Sequence, residues 1–321
     1  TVVLSPETGS GSQNLSPSLS PDGQRLVYMS ERDLFSFDLF MANAGSGEVE
    51  KKMSNSATSP HFDALRFTDS SGSWSWDGLR LAYVVFADGD NQIVLVDTEN
   101  GKILDQIEIE GMGAIQGPSW SPDGRTIVFS GSKGGLSDLY IYDTETEETT
   151  QLTDDRFADF HPVFSPNGRT IAFATDRSPG TDLDNLDYAK FQLGLYNLDT
   201  GEVESLSVFG PSVKHINPQF SPDGEYLYFI ADVDGFSNIY RTDISSGAVQ
   251  RITNLATAVS GIAWSAPAMT VAQTTGEIAF SVFDEFEFHI HKLSADEVEE
   301  RAEVFAMAEP GPGRNLPPMI P

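Results

Sequence analysis

Residues 118–129 read Pro118-Ser119-Trp120-Ser121-Pro122-Asp123-Gly124-Arg125-Thr126-Ile127-Val128-Phe129, and this stretch decides the fold. Its centre, Ser121-Pro122-Asp123-Gly124, returns as Ser20-Pro21-Asp22-Gly23 and as Ser221-Pro222-Asp223-Gly224. Looser copies stand at Ser75-Trp76-Asp77-Gly78 and Ser165-Pro166-Asn167-Gly168, and Thr275-Gly276 closes a degenerate sixth. Self-similarity at a fixed period marks a repeat architecture. Proline presets the first central position of a type I turn, Asp or Asn suits the second, and Gly supplies the left-handed residue that follows. Each copy is therefore a tight hairpin turn. The runs after it, among them Leu26-Val27-Tyr28, Ile127-Val128-Phe129, Ile171-Ala172-Phe173 and Ile278-Ala279-Phe280, read as short strands buried on both faces.

A second punctuation, Asp/Asn-x-x-x-Gly, starts at Asn43, Asp97, Asn197 and Asp243, and at Asp143 with Glu147 in the glycine position. A strand precedes each and another follows, so each unit is a four-stranded antiparallel meander, A to D. One meander cannot bury its apolar faces alone, and radial stacking of meanders gives a β-propeller. Six A–B turns predict an all-β, six-bladed propeller. The last unit lacks a strand D, because the sequence turns helical after Lys292-Leu293; Val2-Val3-Leu4 is expected to complete that blade and close the ring.

The phrase at 118–129, followed by Asp138-Leu139-Tyr140, resembles the repeat of the bacterial TolB-like propellers, with their WD40-like PD40 units. The resemblance covers roughly residues 1–293. It implies a superfamily that includes periplasmic binding proteins, lyases and peptidase-associated domains; fold alone does not choose among them.

Composition narrows the choice. The formal net charge of −29 repels nucleic acid and anionic lipid, and favours cations, basic protein surfaces or a high-salt setting. There is no cysteine, hence no disulfide and no thiolate metal site. No apolar run approaches the ~18 residues of a membrane span, and the chain opens within a strand, as a processed chain does. Neither a serine nucleophile elbow, nor HExxH, nor a phosphate loop is present.

Loop lengths point to one face. From each A–B glycine to the next C–D position the spacing is 24, 23, 23, 33 and 23 residues, so blade four carries about ten extra residues in its B–C loop. From each C–D position to the next A–B glycine it is 31, 23, 21, 23 and 29, so the connections into blades two and six are also long. All three expansions, 55–71, 177–190 and 254–268, fall on the B–C/D–A face, where loops on a rigid scaffold carry function.

On that face the candidate ligand-binding residues at the channel mouth are His161, His215, Asn217, Arg177 and Arg32. His161 and Asn217 precede the proline of an A strand, as do Ser16 and Gly117. His61, His161 and His215 are the histidines in or near D–A loops; convergence of the three would make a metal site, and some pectin-cleaving lyases with a similar propeller use channel-mouth histidines in that way. Hydrogen-bonding channel residues are the plainer reading. Arg32 and Arg177 suit a carboxylate clamp or neutralise acidic neighbours. Asp182, Asp184 and Asp187 supply the oxygens that Ca²⁺ requires, though without the EF-hand glycine and glutamate; a solvated acidic loop is the alternative. His289 and His291 read as structural.

Ser294-Ala295-Asp296-Glu297 is a capping box, and Val298, Ala302 and Phe305 recur at helical spacing, predicting a helix over 294–308. The prolines of 309–321 read as a tail or linker to further sequence. The expected function is a non-catalytic binding or scaffold module of the bacterial envelope, periplasmic or extracellular. It would take a peptide, protein or glycan at the channel mouth, without nucleic acid or membrane insertion, as a domain of a larger protein. The alternative is a metal-dependent saccharide lyase or hydrolase at the same mouth.

Overall fold

A computed structural model describes residues 1–6, 11–32, 37–53, 64–65, 72–87, 89–206, 208–263 and 265–305. Six antiparallel sheets are arranged as the blades of a propeller. Blade three shows the plan: Ala114–Trp120, Thr126–Lys133, Leu136–Asp143 and Thr149–Gln151 pair in sequence order. The B strands are buried almost end to end, as Thr126–Lys133 and Tyr226–Ala231 illustrate. They pack between neighbouring blades, and that burial joins one meander to the next.

The turn chemistry accounts for the repeat. Gly124 N–H donates to Ser121 O (2.9 Å), while the Ser121 hydroxyl donates to Asp123 Oδ1 (2.5 Å) and accepts from Thr126 N–H (2.9 Å). Gly124 sits at φ +68°, where a side chain is strained. The C–D turns use a longer loop. Asp97 Oδ1 accepts from the N–H groups of Glu99 and Asn100, and Gly101 N–H returns to Asp97 O (2.8 Å). Glu147 holds the glycine position of its turn at φ +60°. The sixth A–B turn departs from its predicted kin: Gly276 N–H bonds Ala272 O (2.9 Å), the wider C–D pattern rather than the Ser-Pro-Asp-Gly one. Without Ser and Pro at its start, the tighter turn has nothing to hold it.

Val2–Leu4 forms the outer strand of blade six, antiparallel to Glu287–Leu293, with Val2 opposite His291 and Leu4 opposite Ile290. Val3 and Leu4 are buried with Tyr28, Ala279 and Ile290. Gly47 makes room for this strand: a Cβ there would lie 2.1 Å from the Val3 carbonyl oxygen.

The C-terminal segment folds back on blade five. The helix is shorter than predicted, Ala295–Arg301, and has the expected Ser294/Glu297 capping box. The chain then extends. Glu303–Val304 adds a fifth strand to blade five, Gln250 opposite Val304, so Phe305 reaches its ring contacts with Phe209 and Tyr240 from a strand, not a helix. Arg241 anchors the fold-back: it lies buried, 4.1 Å over the Tyr226 ring, and donates to both Glu299 oxygens (2.5 and 2.8 Å). The Pro-rich 309–321 lies outside the described residues.

Candidate functional site

Four A strands share one irregularity. The register slips between Leu15 and Ser18, Gln116 and Ser119, Phe160 and Val163, and Ile216 and Gln219. At each slip the residue before proline is left-handed: Ser16, Gly117, His161 and Asn217 have φ between +51° and +55°. Proline has no N–H to lose from the ladder, so the bulge interrupts little hydrogen bonding. These residues, with Pro17, Pro118 and Pro162, line the central channel, whose cavity is about 80 Å³ among the described residues. That is small against the 300–1,000 Å³ or so of a typical small-molecule pocket, so a ligand larger than a few waters meets the mouth rather than the bore.

The ring is cross-linked. Asn217 Oδ1 accepts from the N–H groups of Ala268 (2.9 Å) and Met269 (2.8 Å), tying blade five to blade six. Its own N–H donates to His161 Nδ1 (3.3 Å), tying it to blade four. His161 thus accepts at Nδ1 and holds its proton at Nε2 as a neutral ring. Burial, and then the nearby Lys214 charge, push its pKa down to about 4. A left-handed non-glycine residue costs about 1–2 kcal/mol, and such strain gathers at functional sites.

His215 does not reach the channel. It stands two residues before the bulge, as do Asn14, Ile115 and Asp159, and all four are fully buried. Its Nε2 accepts from Phe209 N–H (3.2 Å), its ring stacks on Phe209, and burial lowers its pKa to about 4. His161 and His215 are therefore not brought together; His61 lies outside the described residues. Among the described residues no group of three His, Asp or Glu side chains is placed to hold a metal ion.

Arg177 neutralises its neighbours. It pairs with Asp159 and with Asp155 (2.6 Å), and its guanidinium lies 5.4 Å from the Phe157 ring and 5.7 Å from the Phe173 ring. Asp159 is deeply buried, and that desolvation outweighs the Arg177 charge, raising its pKa to about 6. Arg32 is exposed, 5.6 Å from the Phe40 ring. The blade-four insertion runs from 176 to 191, between Thr170–Thr175 and Gln192–Asn197. Asp182 spends its carboxylate inside this loop: Oδ1 accepts from Asp184 and Asn185 N–H, and Oδ2 accepts from Asn185 Nδ2. Asp184 reaches Arg156 (3.5 Å), and Asp187 joins Asp182 through backbone bonds alone. His289 lies 3.8 Å from Glu287 and His291 stacks on Phe280.

Sequence reasoning missed the apolar side chains on this face. Phe286 is 88% exposed at the tip of the two-residue B–C turn of blade six, where Glu285 and Phe286 are both left-handed (φ +49° and +71°). Such a turn favours Asn-Gly. The signal was present: Glu285-Phe286 stands between paired strands where turn residues belong.

Residues 68–190 match a family profile described as the TolB beta propeller domain, PD40. YuxL of Bacillus subtilis, described as an uncharacterized peptidase, is 29% identical over 218 residues, 68% of this chain and 29% of that protein. Among solved structures, TolB from Acinetobacter baumannii aligns with a TM-score of 0.62 at 20% identity, over 91% of this chain and 64% of that one. An oligogalacturonate lyase in complex with manganese aligns with a TM-score of 0.59 at 16% identity, over 91% of this chain and 77% of that one. At such identities the structural likeness shows the fold alone. The chain spans less than a third of the curated relative's length.

Proposed function

We propose that this chain, a six-bladed β-propeller in which residues 68–190 match the TolB beta propeller domain, is a non-catalytic binding or scaffold module of the bacterial envelope, periplasmic or extracellular. It holds a peptide, protein or glycan at the channel mouth on the B–C/D–A face, as one domain of a larger protein. The observation that carries this reading is the ring of left-handed residues in the channel wall, Ser16, His161 and Asn217, in a propeller whose B–C/D–A loops include the blade-four insertion. Strain of that kind in three blades suits a docking surface. The acidic charge turns away nucleic acid and anionic lipid, and no helix among the described residues is long and apolar enough to cross a membrane.

The reading as a metal-dependent lyase draws on convergence of His61, His161 and His215, and the burial of His215 in the blade-five core counts against that convergence. The test is a pair of photo-cross-linking residues, one at Tyr188 on the B–C/D–A face and one at Ile244 on the opposite face, in an envelope extract. Cross-links from Tyr188 are expected. Cross-links from Ile244 alone would overturn the proposal, as would turnover of an oligogalacturonide that His161→Ala abolishes.

A further inference from the structure

Exposed apolar side chains gather on the B–C/D–A face. Leu186 and Tyr188 in the blade-four insertion, Phe236 in the blade-five B–C loop, Ile262 in the connection into blade six, and Phe283 and Phe286 in the blade-six hairpin are all exposed. They occupy three consecutive blades, and the loops that bear them are bonded to one another. Lys190 Nζ donates to Asp232 Oδ2 (2.8 Å), joining the blade-four and blade-five loops. Val259 N–H donates to Ser237 O (2.7 Å) and Ser260 N–H to Ser281 O (3.1 Å), joining the blade-five loop, the connecting segment and the blade-six hairpin. The six side chains therefore follow one arc of the B–C/D–A face, a crescent over three consecutive blades.

Two of them sit where the backbone selects against them. Leu186 (φ +56°) and Phe286 (φ +71°) occupy left-handed positions that Gly or Asn would take without strain. Neither side chain is buried to offset that strain. Backbone strain gathers at functional sites, and large aromatics are common anchors where proteins dock. Acidic residues interleave with the anchors: Asp182, Asp184 and Asp187 beside Leu186, Asp234 beside Phe236, and Asp284, Glu285 and Glu287 around Phe286.

We infer that this crescent docks a basic, apolar peptide segment, with aliphatic or aromatic side chains seated between the aromatic tips and flanking Lys or Arg facing the carboxylates. The inference rests on the reading of the mouth as a binding surface and names the chemistry of its partner. A second copy of the chain is disfavoured by a charge of −29 on each, and an anionic bilayer by the same charge.

The probe is a fluorescent amphipathic peptide of leucine and lysine, titrated with the full chain by anisotropy at low and high salt. One control replaces its lysines by glutamate and another its leucines by glycine. The parent chain should bind the leucine–lysine peptide at least roughly tenfold more tightly than either control, less tightly as salt rises. Phe286→Asn with Phe236→Ser should weaken that binding roughly tenfold. The double variant should melt within about 2 °C of the parent, since Asn tolerates the left-handed turn and Phe236 is exposed, so lost binding cannot be ascribed to lost fold. Equal binding of the glycine control, or unchanged binding by the double variant, overturns the inference. So does a parent dimer in sedimentation that Phe286→Asn dissociates, which would make a second copy the occupant. If Tyr188 cross-links a partner while the double variant binds the peptide as the parent does, the mouth reading stands and this inference falls.

Discussion

Replacing Leu4 by alanine strips the closing strand of its deepest side chain. Leu4 is fully buried and packs with Val3, Tyr28, Ala279 and Ile290. Truncating a buried leucine costs about 2–5 kcal/mol, depending on how far the site collapses. Collapse is limited here, because the strand is three residues long and held on one side by the blade-six ladder. Taking about 3 kcal/mol, and about 2 °C per kcal/mol for a domain of this size, Leu4→Ala should lower the melting temperature by roughly 6 °C. Val2, exposed at its side chain, is the control; Val2→Ala should melt within about 1 °C of the parent. Gly47→Ala approaches the same strand from outside, since its Cβ would meet the Val3 carbonyl and its φ is +73°. It should destabilise at least as much. The assay is differential scanning calorimetry on the three variants. A Leu4→Ala curve that overlays the parent would refute the claim that these residues hold the ring shut.

Glu147→Gly should raise stability by up to about 1 kcal/mol, because it relieves a left-handed glutamate in a turn whose counterparts carry glycine; a chemical denaturation midpoint unmoved or lowered speaks against it. The Asp159 carboxyl titrates near 3.8 when unfolded and near 6 when folded. The folded state therefore holds the extra proton between those values, and stability falls as pH rises through that window, by about 3 kcal/mol in all. Asp159→Asn should lack this slope in denaturation series from pH 4 to pH 7, and an identical slope would place the titration elsewhere. Self-repulsion at −29 predicts a melting temperature that rises with added NaCl; a flat response would mean that the acidic charges are already balanced locally.

The fold was legible because its information is local. Ser121-Pro122-Asp123-Gly124 encodes its own turn through bonds that span no more than five residues, and each copy reports one blade. Where that local code lapses, at Ala272–Gly276, the position of the turn survived and its class did not. The helix prediction ran too far for a similar reason: Val298, Ala302 and Phe305 fit helical spacing, but the free edge of blade five draws Glu303–Val304 into its sheet. The site was legible only in outline. Loop lengths singled out the B–C/D–A face as the candidate. Proximity in sequence groups His215 with Asn217, yet its bulge-relative position matches Ile115, a core residue. The aromatic tips carry neither charge nor metal-binding atoms, and the blade-six turn lacks the Asn or Gly that marks such positions in sequence.

The pairing of Val2 with His291 spans nearly the whole propeller in sequence, whereas the hairpins inside each blade join residues a few positions apart. Closing a long loop costs entropy that grows only logarithmically with its length, but it requires both ends to exist. Blades can therefore assemble one by one as their own segments become available, while the ring as a closed object waits for Glu287–Leu293. The three residues at the start of the chain are thus among the last to find their place. Folding order and sequence order run in opposite directions at that one seam.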